Sequence, residues 1–326
     1  MATILITGAT GFLGKYVVDE FLRHGYQVVA HGRNATRLVQ LHDQGIQTLQ
    51  GDLQELSHLT MRVDAVVHAA ALSTIWGPWQ RFYRNNVEGT RHVVQFCQAN
   101  SIPRLVFISS PSIYTMPKDR LGIREDDVDE RNMLTNYIRS KIMAEAVVRE
   151  ASESGISTVI LRPRGIVGVG DTSIVPRLLE ANRTMGIPLF RGGHNVVDLT
   201  CVENVALAIR LAVEADASAI TAGVYNITNK TPRSLISILE QLFSGLSTTP
   251  HYRNRYFWIV YGVAAAVECL YKVLRIDKEP MITRYTVCTL GCSQTLDVSA
   301  ATRDLGYEPI MSLDEGIARY VASLTN

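Results

Sequence analysis

The 326-residue chain reads as an α/β protein, a doubly wound parallel sheet followed by a smaller, mostly helical C-terminal lobe. Three features predict this. Short β-rich runs alternate with helix-length stretches through the first half, and a glycine-rich turn joins the first run to the first helix. The third is the loss of that rhythm after Asp171, where Gly, Pro and Thr punctuate a series of mostly helical segments.

In chain order, Thr3-Ile4-Leu5-Ile6 is the first strand, 15–24 a helix and 27–30 the second strand. A third strand ends before Gly51, Ala65-Val66-Val67-His68 is the fourth, 86–100 a helix and 105–109 a strand. The stretch 136–153 is a long helix and 157–162 the next strand. Strands spaced by such helices make βαβ units, so the sheet is parallel with helices on both faces. Farther on, 175–183, 202–214 and 233–242 look helical, and Tyr225-Asn226-Ile227 looks like a strand.

Composition is that of an ordinary globular chain, 47% hydrophobic and 19% charged. Lys+Arg 32 against Asp+Glu 31 leaves no basic excess, so nucleic acid is not an expected partner. Cys97, Cys201, Cys269, Cys288 and Cys292 are scattered and lack a paired zinc spacing, so no metal is expected. Met1-Ala2 runs straight into a strand without a cleavable leader pattern, and the longest apolar run, about 256–267, is too short to span a bilayer. A cytoplasmic location follows as the expectation.

Chemistry begins at Thr7-Gly8-Ala9-Thr10-Gly11-Phe12-Leu13-Gly14, between strand and helix. Gly8 permits the tight turn, Gly11 lets the backbone approach a pyrophosphate, and Gly14 allows close helix–strand packing. The helix N-terminus then offers free N–H groups and partial positive charge to phosphates. This predicts a Rossmann-type dinucleotide site. At the end of the second strand, Gly32 stands where an NAD enzyme usually has a carboxylate, followed by Arg33 and later Arg37. A missing acid with a neighbouring guanidinium suits a 2′-phosphate, so NADP(H) is the expected cofactor and NAD(H) the alternative. Asp52, before Leu53, is placed either to accept from the adenine amino group or to stabilise its own turn.

Tyr137 and Lys141 are four apart on the long helix, hence on one face. A free phenol, with a pKa near ~10, is a poor base at neutral pH, and a nearby ammonium favours its ionised form. Such a pair can give a proton to a carbonyl oxygen as hydride arrives. Ser109-Ser110 ends the 105–109 strand at the sheet edge where these folds bind ligands, and a hydroxyl there can hold the reacting oxygen.

These motifs, with His68-Ala69-Ala70-Ala71, Asn86-Val87-Glu88-Gly89-Thr90, Leu161-Arg162-Pro163 and Gly168-x-Gly170-Asp171, resemble the extended short-chain dehydrogenase/reductase superfamily in their order along the chain. The resemblance implies that Tyr137 is the general acid/base and that Lys141 lowers its pKa and binds the nicotinamide ribose. It implies that Ser110, four residues before Tyr114, polarises the substrate oxygen, and that Asn86 is structural or helps hold the site. Gly8, Thr10, Gly11, Phe12, Leu13, Gly32, Arg33, Asp52, Leu53, Ala69, Ala70, Ala71, Pro163 and Ile166 would line the cofactor. It also implies a homodimer built through 86–100 and 136–153. We therefore assign 1–170 to the dinucleotide-binding domain, with 196–228 returning to it, and 171–195 and 229–326 mainly to the substrate lobe.

Trp76-Gly77-Pro78-Trp79, Ser109-Ser110-Pro111-Ser112 and the 256–275 segment look most like the 3β-hydroxysteroid dehydrogenase-like branch, which includes bacterial reductases of long-chain 2-alkyl-3-oxoalkanoates. The apolar, aromatic 256–271 segment is first expected to be a core helix of the second lobe. Two other roles fit it: a lid over a lipid-like substrate, or shallow membrane contact flanked by Arg253, Arg255, Lys272 and Arg275. The expected activity is interconversion of a ketone and a secondary alcohol on a hydrophobic, steroid-like or long-chain 3-oxoacyl molecule. One rival is a nucleotide-sugar epimerase or dehydratase with tightly bound NAD. Another is a dinucleotide-sensing protein without chemistry.

Overall fold

The computed structural model describes residues 1–220 and 223–325. Seven strands form one parallel sheet: β1 (Thr3–Thr7), β2 (Gln27–Gly32), β3 (Gln47–Gln50), β4 (Ala65–His68), β5 (Arg104–Ile108), β6 (Ser157–Pro163) and β7 (Val224–Ile227). Their order is β7-β6-β5-β4-β1-β2-β3, so the chain winds outward from β1 in both directions. All neighbours are parallel, with Thr7 in register with both His31 and His68.

The two-residue alternation of a strand decides which helices cover which face. Ile4 and Ile6 pack in one core with Val17, Val18 and Phe21 of α1 (Phe12–Arg23) and with Val205 and Ile209 of a later helix. Leu5, between them, packs in the other core. There it joins Val93 and Phe96 of α2 (Gly89–Ala99) and Val147 and Val148 of α3 (Asn136–Glu153). The later helix, α4 (Val202–Glu214), leads into β7, the outermost strand beside β6. The Ser299–Leu305 helix and Tyr307 also return to the α1 side through Ala301, Leu305 and Tyr307.

The remaining C-terminal residues are mainly helical, with short strands among them. Arg120–Ile123, Gln294–Leu296, Val196–Val197 and Arg233–Ser234 form a small sheet, and Ile187–Phe190 pairs with Tyr252–Arg255. Runs of two to four residues carry no readable alternation. The helix expected from residue 86 begins instead as a π-helical stretch, Tyr83–Glu88, that turns Asn86 inward before α2 starts.

The core reading of the 256–271 segment is corrected. The helix α5 (Phe257–Val273) buries only Ala264 and Glu268. Trp258, Ile259, Val263, Leu270 and Val273 are exposed, Trp258 by 67% and Val273 by 73%. The sequence is apolar on every side, so periodicity could not show which side faces protein. Among the described residues, no helix is long and apolar enough to cross a membrane, and no cluster of three His, Cys, Asp or Glu could hold a metal.

Candidate active site

The glycine turn is built by close contact. Gly8 has φ +74°, and a Cβ there would lie 2.7 Å from the Ala70 nitrogen. A Cβ on Gly14 would lie 2.2 Å from the Gly8 carbonyl, so only glycine lets α1 start this near β1. Gly11 caps α1 in extended conformation, and its N–H donates to the Gly8 carbonyl at 2.9 Å. The loop of Ala69, Ala70 and Ala71 therefore lies directly on the turn. Asn86 holds that loop: its Oδ1 accepts from Leu72 N–H at 2.7 Å, and its Nδ2 donates to the Leu72 carbonyl at 3.1 Å.

The Asn86 amide also donates to Ser140 Oγ at 2.8 Å, and Ser140 donates to the Tyr137 carbonyl at 2.8 Å. Asn86 was expected to be structural or to help hold the site, and its contacts tie the Leu72 backbone to Ser140 and the start of α3. His68 completes a buried chain beneath it, within 2.8 Å of Thr7 Oγ1 and 3.1 Å of Thr90 Oγ1. Burial, then Lys141 and His31, push its pKa down to about 3, so the ring is neutral.

At the adenosine end, the Arg33 Nη1 lies 3.6 Å from Asp52 Oδ1, both side chains being exposed. Arg37 donates to the Thr10 carbonyl of the glycine turn, and Asn34 caps the helix that carries it. Arg37 is thus held on the glycine turn, whose Thr10 side chain packs against Gly32. Asp52 precedes the short helix Leu53–Leu56, and its N–H donates to Glu55 Oε2 at 3.2 Å. That is the turn-stabilising arrangement. An exposed pair such as Arg33–Asp52 is weak enough for an anion to displace the carboxylate.

At the other end, α3 is capped by Thr135, whose Oγ1 accepts from Ile138 N–H at 3.1 Å. This start aims Tyr137 and Lys141 under the sheet edge, 9% and 2% exposed. Ser110 comes from the end of β5, its Oγ 2.8 Å from Ser112 Oγ. Ser110 hydrogen-bonds Tyr137, while Lys141, one turn farther along α3, is buried at 2% exposure. Ser112, a support for Ser110, was not singled out in the sequence, although serines two apart at a strand end can pair.

The electrostatics differ from expectation. Burial pushes the Tyr137 phenol up to about 12, against a hydrogen bond from Ser110 that favours the phenolate. Lys141 instead donates to the Ile108 carbonyl at 2.7 Å, its Nζ 4.6 Å from the centre of the Phe107 ring. Burial brings Lys141 down to about 8, opposed by Glu145. Desolvation outweighs a lysine that is engaged elsewhere, so the tyrosine is held protonated.

Below these groups lies a polar layer that sequence reading missed. Arg162 and Glu145 are 0% and 2% exposed at the side chain and meet at 2.5 Å. Ser109 donates to Glu145 Oε1 at 2.5 Å, and Arg162 also bonds the Tyr114 hydroxyl and the Glu125 carbonyl. Tyr114 in turn donates to Asn226 Oδ1 at 2.9 Å. Glu145 follows Lys141 by one helical turn, a spacing that could have flagged it. Pro163, at the end of β6, is buried, and Ile166, three residues on, is partly buried.

The groups present fit a dinucleotide: a turn that a Cβ would fill, an α1 N-terminus and two arginines at opposite positions from the serine–tyrosine–lysine set. Fold and site together define an NAD(P)-dependent oxidoreductase. The profile of the NAD dependent epimerase/dehydratase family matches residues 4–228, and the chain belongs to that family. It is 35% identical to a 2-alkyl-3-oxoalkanoate reductase of Stenotrophomonas maltophilia, over 98% of both chains. It is 30% identical to the mouse decarboxylating sterol-4-alpha-carboxylate 3-dehydrogenase, over 98% of this chain and 90% of that one. These relatives place it on the 3β-hydroxysteroid dehydrogenase-like side of the family. In fold it is similar to a UDP-glucuronic acid 4-epimerase from Bacillus cereus in complex with NAD, with TM-score 0.76, 21% identity and 99% and 96% of the two chains covered.

Proposed function

We propose that the protein is an NADP(H)-dependent reductase of a ketone on a hydrophobic substrate of the long-chain 3-oxoacyl kind, running in reverse as an alcohol dehydrogenase. The observation that carries this reading is the buried, protonated Tyr137 hydrogen-bonded with Ser110. A phenol of that kind donates a proton to a carbonyl oxygen, and Ser110 holds the same oxygen. Lys141, charged below its pKa of about 8, would bind the ribose hydroxyls and stabilise the phenolate left after donation. Bound NADPH supplies the hydride. Both named relatives support the substrate class, because each name puts a carboxylate on the carbon next to the one bearing the oxygen.

Arg33 and Arg37 would grip the 2′-phosphate, while Pro163 and Ile166 would pack on the nicotinamide. We assign 1–170 with 196–228 to cofactor binding and 171–195 with 229–326 mainly to the substrate. Five unpaired cysteines suit a reducing cytoplasm. The outer faces of α2 and α3 would form a homodimer, which light scattering after gel filtration tests. The deciding assay is NADPH oxidation with a 2-alkyl-3-oxoalkanoate: substrate-dependent loss of absorbance supports the reading, and its absence with every ketone tried defeats it.

The exposed face of α5 favours one further role, docking on an anionic bilayer. Trp258, Ile259, Val263, Leu270 and Val273 supply the apolar face, and Arg253, Arg255, Lys272 and Arg275 flank it with charge complementary to acidic headgroups. The helix and the turn after it also pack on the Trp76 loop, which meets the start of α3. Trp76 Nε1 donates to the Ile276 carbonyl at 3.1 Å, and Asn136, beside Tyr137, donates to Gly77 at 3.0 Å. Co-sedimentation with phosphatidylglycerol vesicles, abolished in Trp258→Ser/Ile259→Ser, is expected. A wild type that stays in the supernatant, or a double variant that loses only self-association, would refute it.

A further inference from the structure

Arg164 follows Pro163 at the end of β6 and is 6% exposed. Its backbone is accounted for: the N–H donates to the Ile227 carbonyl at 2.9 Å, and the carbonyl accepts from Thr200 Oγ1 at 2.5 Å. The guanidinium is different. Among the described residues it makes no hydrogen bond and has no carboxylate within the 4.0 Å of an ion pair. None of its nitrogens is a sealed, unpartnered atom, so they border open space rather than packed core.

The strand alternation shows which space that is. In β6, Leu161 faces the α1 side and Ile160 the α3 side. Arg162 turns to Glu145 of α3, so Pro163 reverts to the α1 side and Arg164 to the side from which Tyr137 rises. Tyr285, on helix α6 (Arg284–Gly291), is an electrostatic neighbour of both Tyr137 and Arg164. Asp198 is the other charge that Arg164 feels, but its Oδ2 accepts from Leu296 N–H at 2.8 Å. A guanidinium carries five donors and keeps its charge at any ordinary pH, so a buried one without acceptors is matched to an anion from outside.

We propose that Arg164 anchors a carboxylate of the substrate, so that the enzyme selects a free 3-oxo or 3-hydroxy acid over its ester, its thioester or a plain ketone. This rests on the oxidoreductase reading above and adds the group that chooses the substrate. A planar carboxylate takes two parallel hydrogen bonds from a guanidinium, which would fix the neighbouring carbonyl against Tyr137 and Ser110.

The test separates anchoring from hydride transfer. With NADPH bound, 2-hexyl-3-hydroxydecanoic acid and its methyl ester are titrated by calorimetry into wild type, Arg164→Met and Arg164→Lys. No reaction is possible with both partners reduced, so only affinity is read. Wild type is expected to hold the acid about 100-fold more tightly than the ester. Arg164→Met brings the two level by losing the acid alone, Arg164→Lys recovers part of the gap, and NADPH affinity is unchanged in each. Arg164→Met binding the acid like wild type, both ligands weakening together, or wild type without preference would each overturn the anchor. Should Arg164→Met not fold, an unaltered acid preference in Arg164→Lys overturns it instead. Oxidation of the same acid with NADP+ is followed separately. Arginine-dependent binding without oxidation keeps the anchor and sinks the reductase reading; oxidation of acid and ester alike does the reverse.

Discussion

The two layers at the C-terminal edge of the sheet share helix α3 and differ in how completely their polar groups are satisfied. The lower layer, Glu145, Arg162, Ser109, Tyr114 and Asn226, is buried and closed, each charge meeting its partner within hydrogen-bond distance. The upper layer, Ser110, Tyr137, Lys141 and Arg164, is buried apart from the partly exposed Ser110 and is incomplete, since the Arg164 guanidinium lacks an acceptor among the described residues. Buried polar groups are stable when their partners lie inside the protein, and reactive or ligand-seeking when they do not. One turn of α3 separates Lys141 from Glu145, so a single helix carries both behaviours.

Changes in the two layers should therefore fail differently. The largest effect is expected for Tyr137→Phe, which removes the proton donor and should cut turnover by up to about 10⁴-fold while melting temperature and NADPH affinity hold. Residual turnover near wild type would move the proton source elsewhere. Arg162→Met should do the opposite, lowering unfolding free energy by about 3–5 kcal/mol because Glu145 loses its buried partner and keeps only the half-exposed Arg149 and the Ser109 hydroxyl. Urea unfolding measures it, and Arg162→Met/Glu145→Leu should regain most of the loss. A single variant with unchanged midpoint would show that the pair contributes nothing.

Smaller effects sharpen the picture at the edges. Arg33→Ala is expected to weaken NADPH by about 10-fold or more and NADH hardly at all, because one charge-assisted contact to the 2′-phosphate is lost. Equal weakening of both cofactors would take Arg33 away from that phosphate. The smallest is a pH effect. Burial lowers the Lys141 pKa to about 8, so its charge is present below that pH and lost as pH rises through it. Ketone reduction should fall on the alkaline side with an apparent pKa near 8, and Lys141→Arg should remove that limb. The same limb in the arginine variant would assign it to another group.

Much of this was legible in the residues. The βαβ rhythm gave the strands to within a residue or two, because alternation and glycine spacing are local signals. Gly8 and Gly14 were readable for the same reason, as was the placement of Tyr137 and Lys141 four apart on α3, but not that Lys141 turns to the Ile108 carbonyl. Arg162 appeared only as part of a motif, and Glu145 did not appear: its spacing from Lys141 marks a helix face, but nothing in the chain order pairs it with a strand residue 17 positions away. The α5 helix misled for a physical reason: a segment apolar on all sides has no face that announces burial, and only Glu268 binding Arg284, with Phe257 against Phe190, shows how it docks.

By itself the sequence determined the strands, the glycine turn and the placement of Tyr137 and Lys141 four apart on one helix, because alternation, glycine spacing and helical periodicity are short-range signals. Tertiary structure alone decided the charge states. It turned Lys141 toward the Ile108 carbonyl, closed Arg162 against Glu145 and buried the Arg164 guanidinium without an acceptor among the described residues. Protonation depends on solvent exclusion and on neighbours brought from distant strands, and neither is written in the order of residues along the chain.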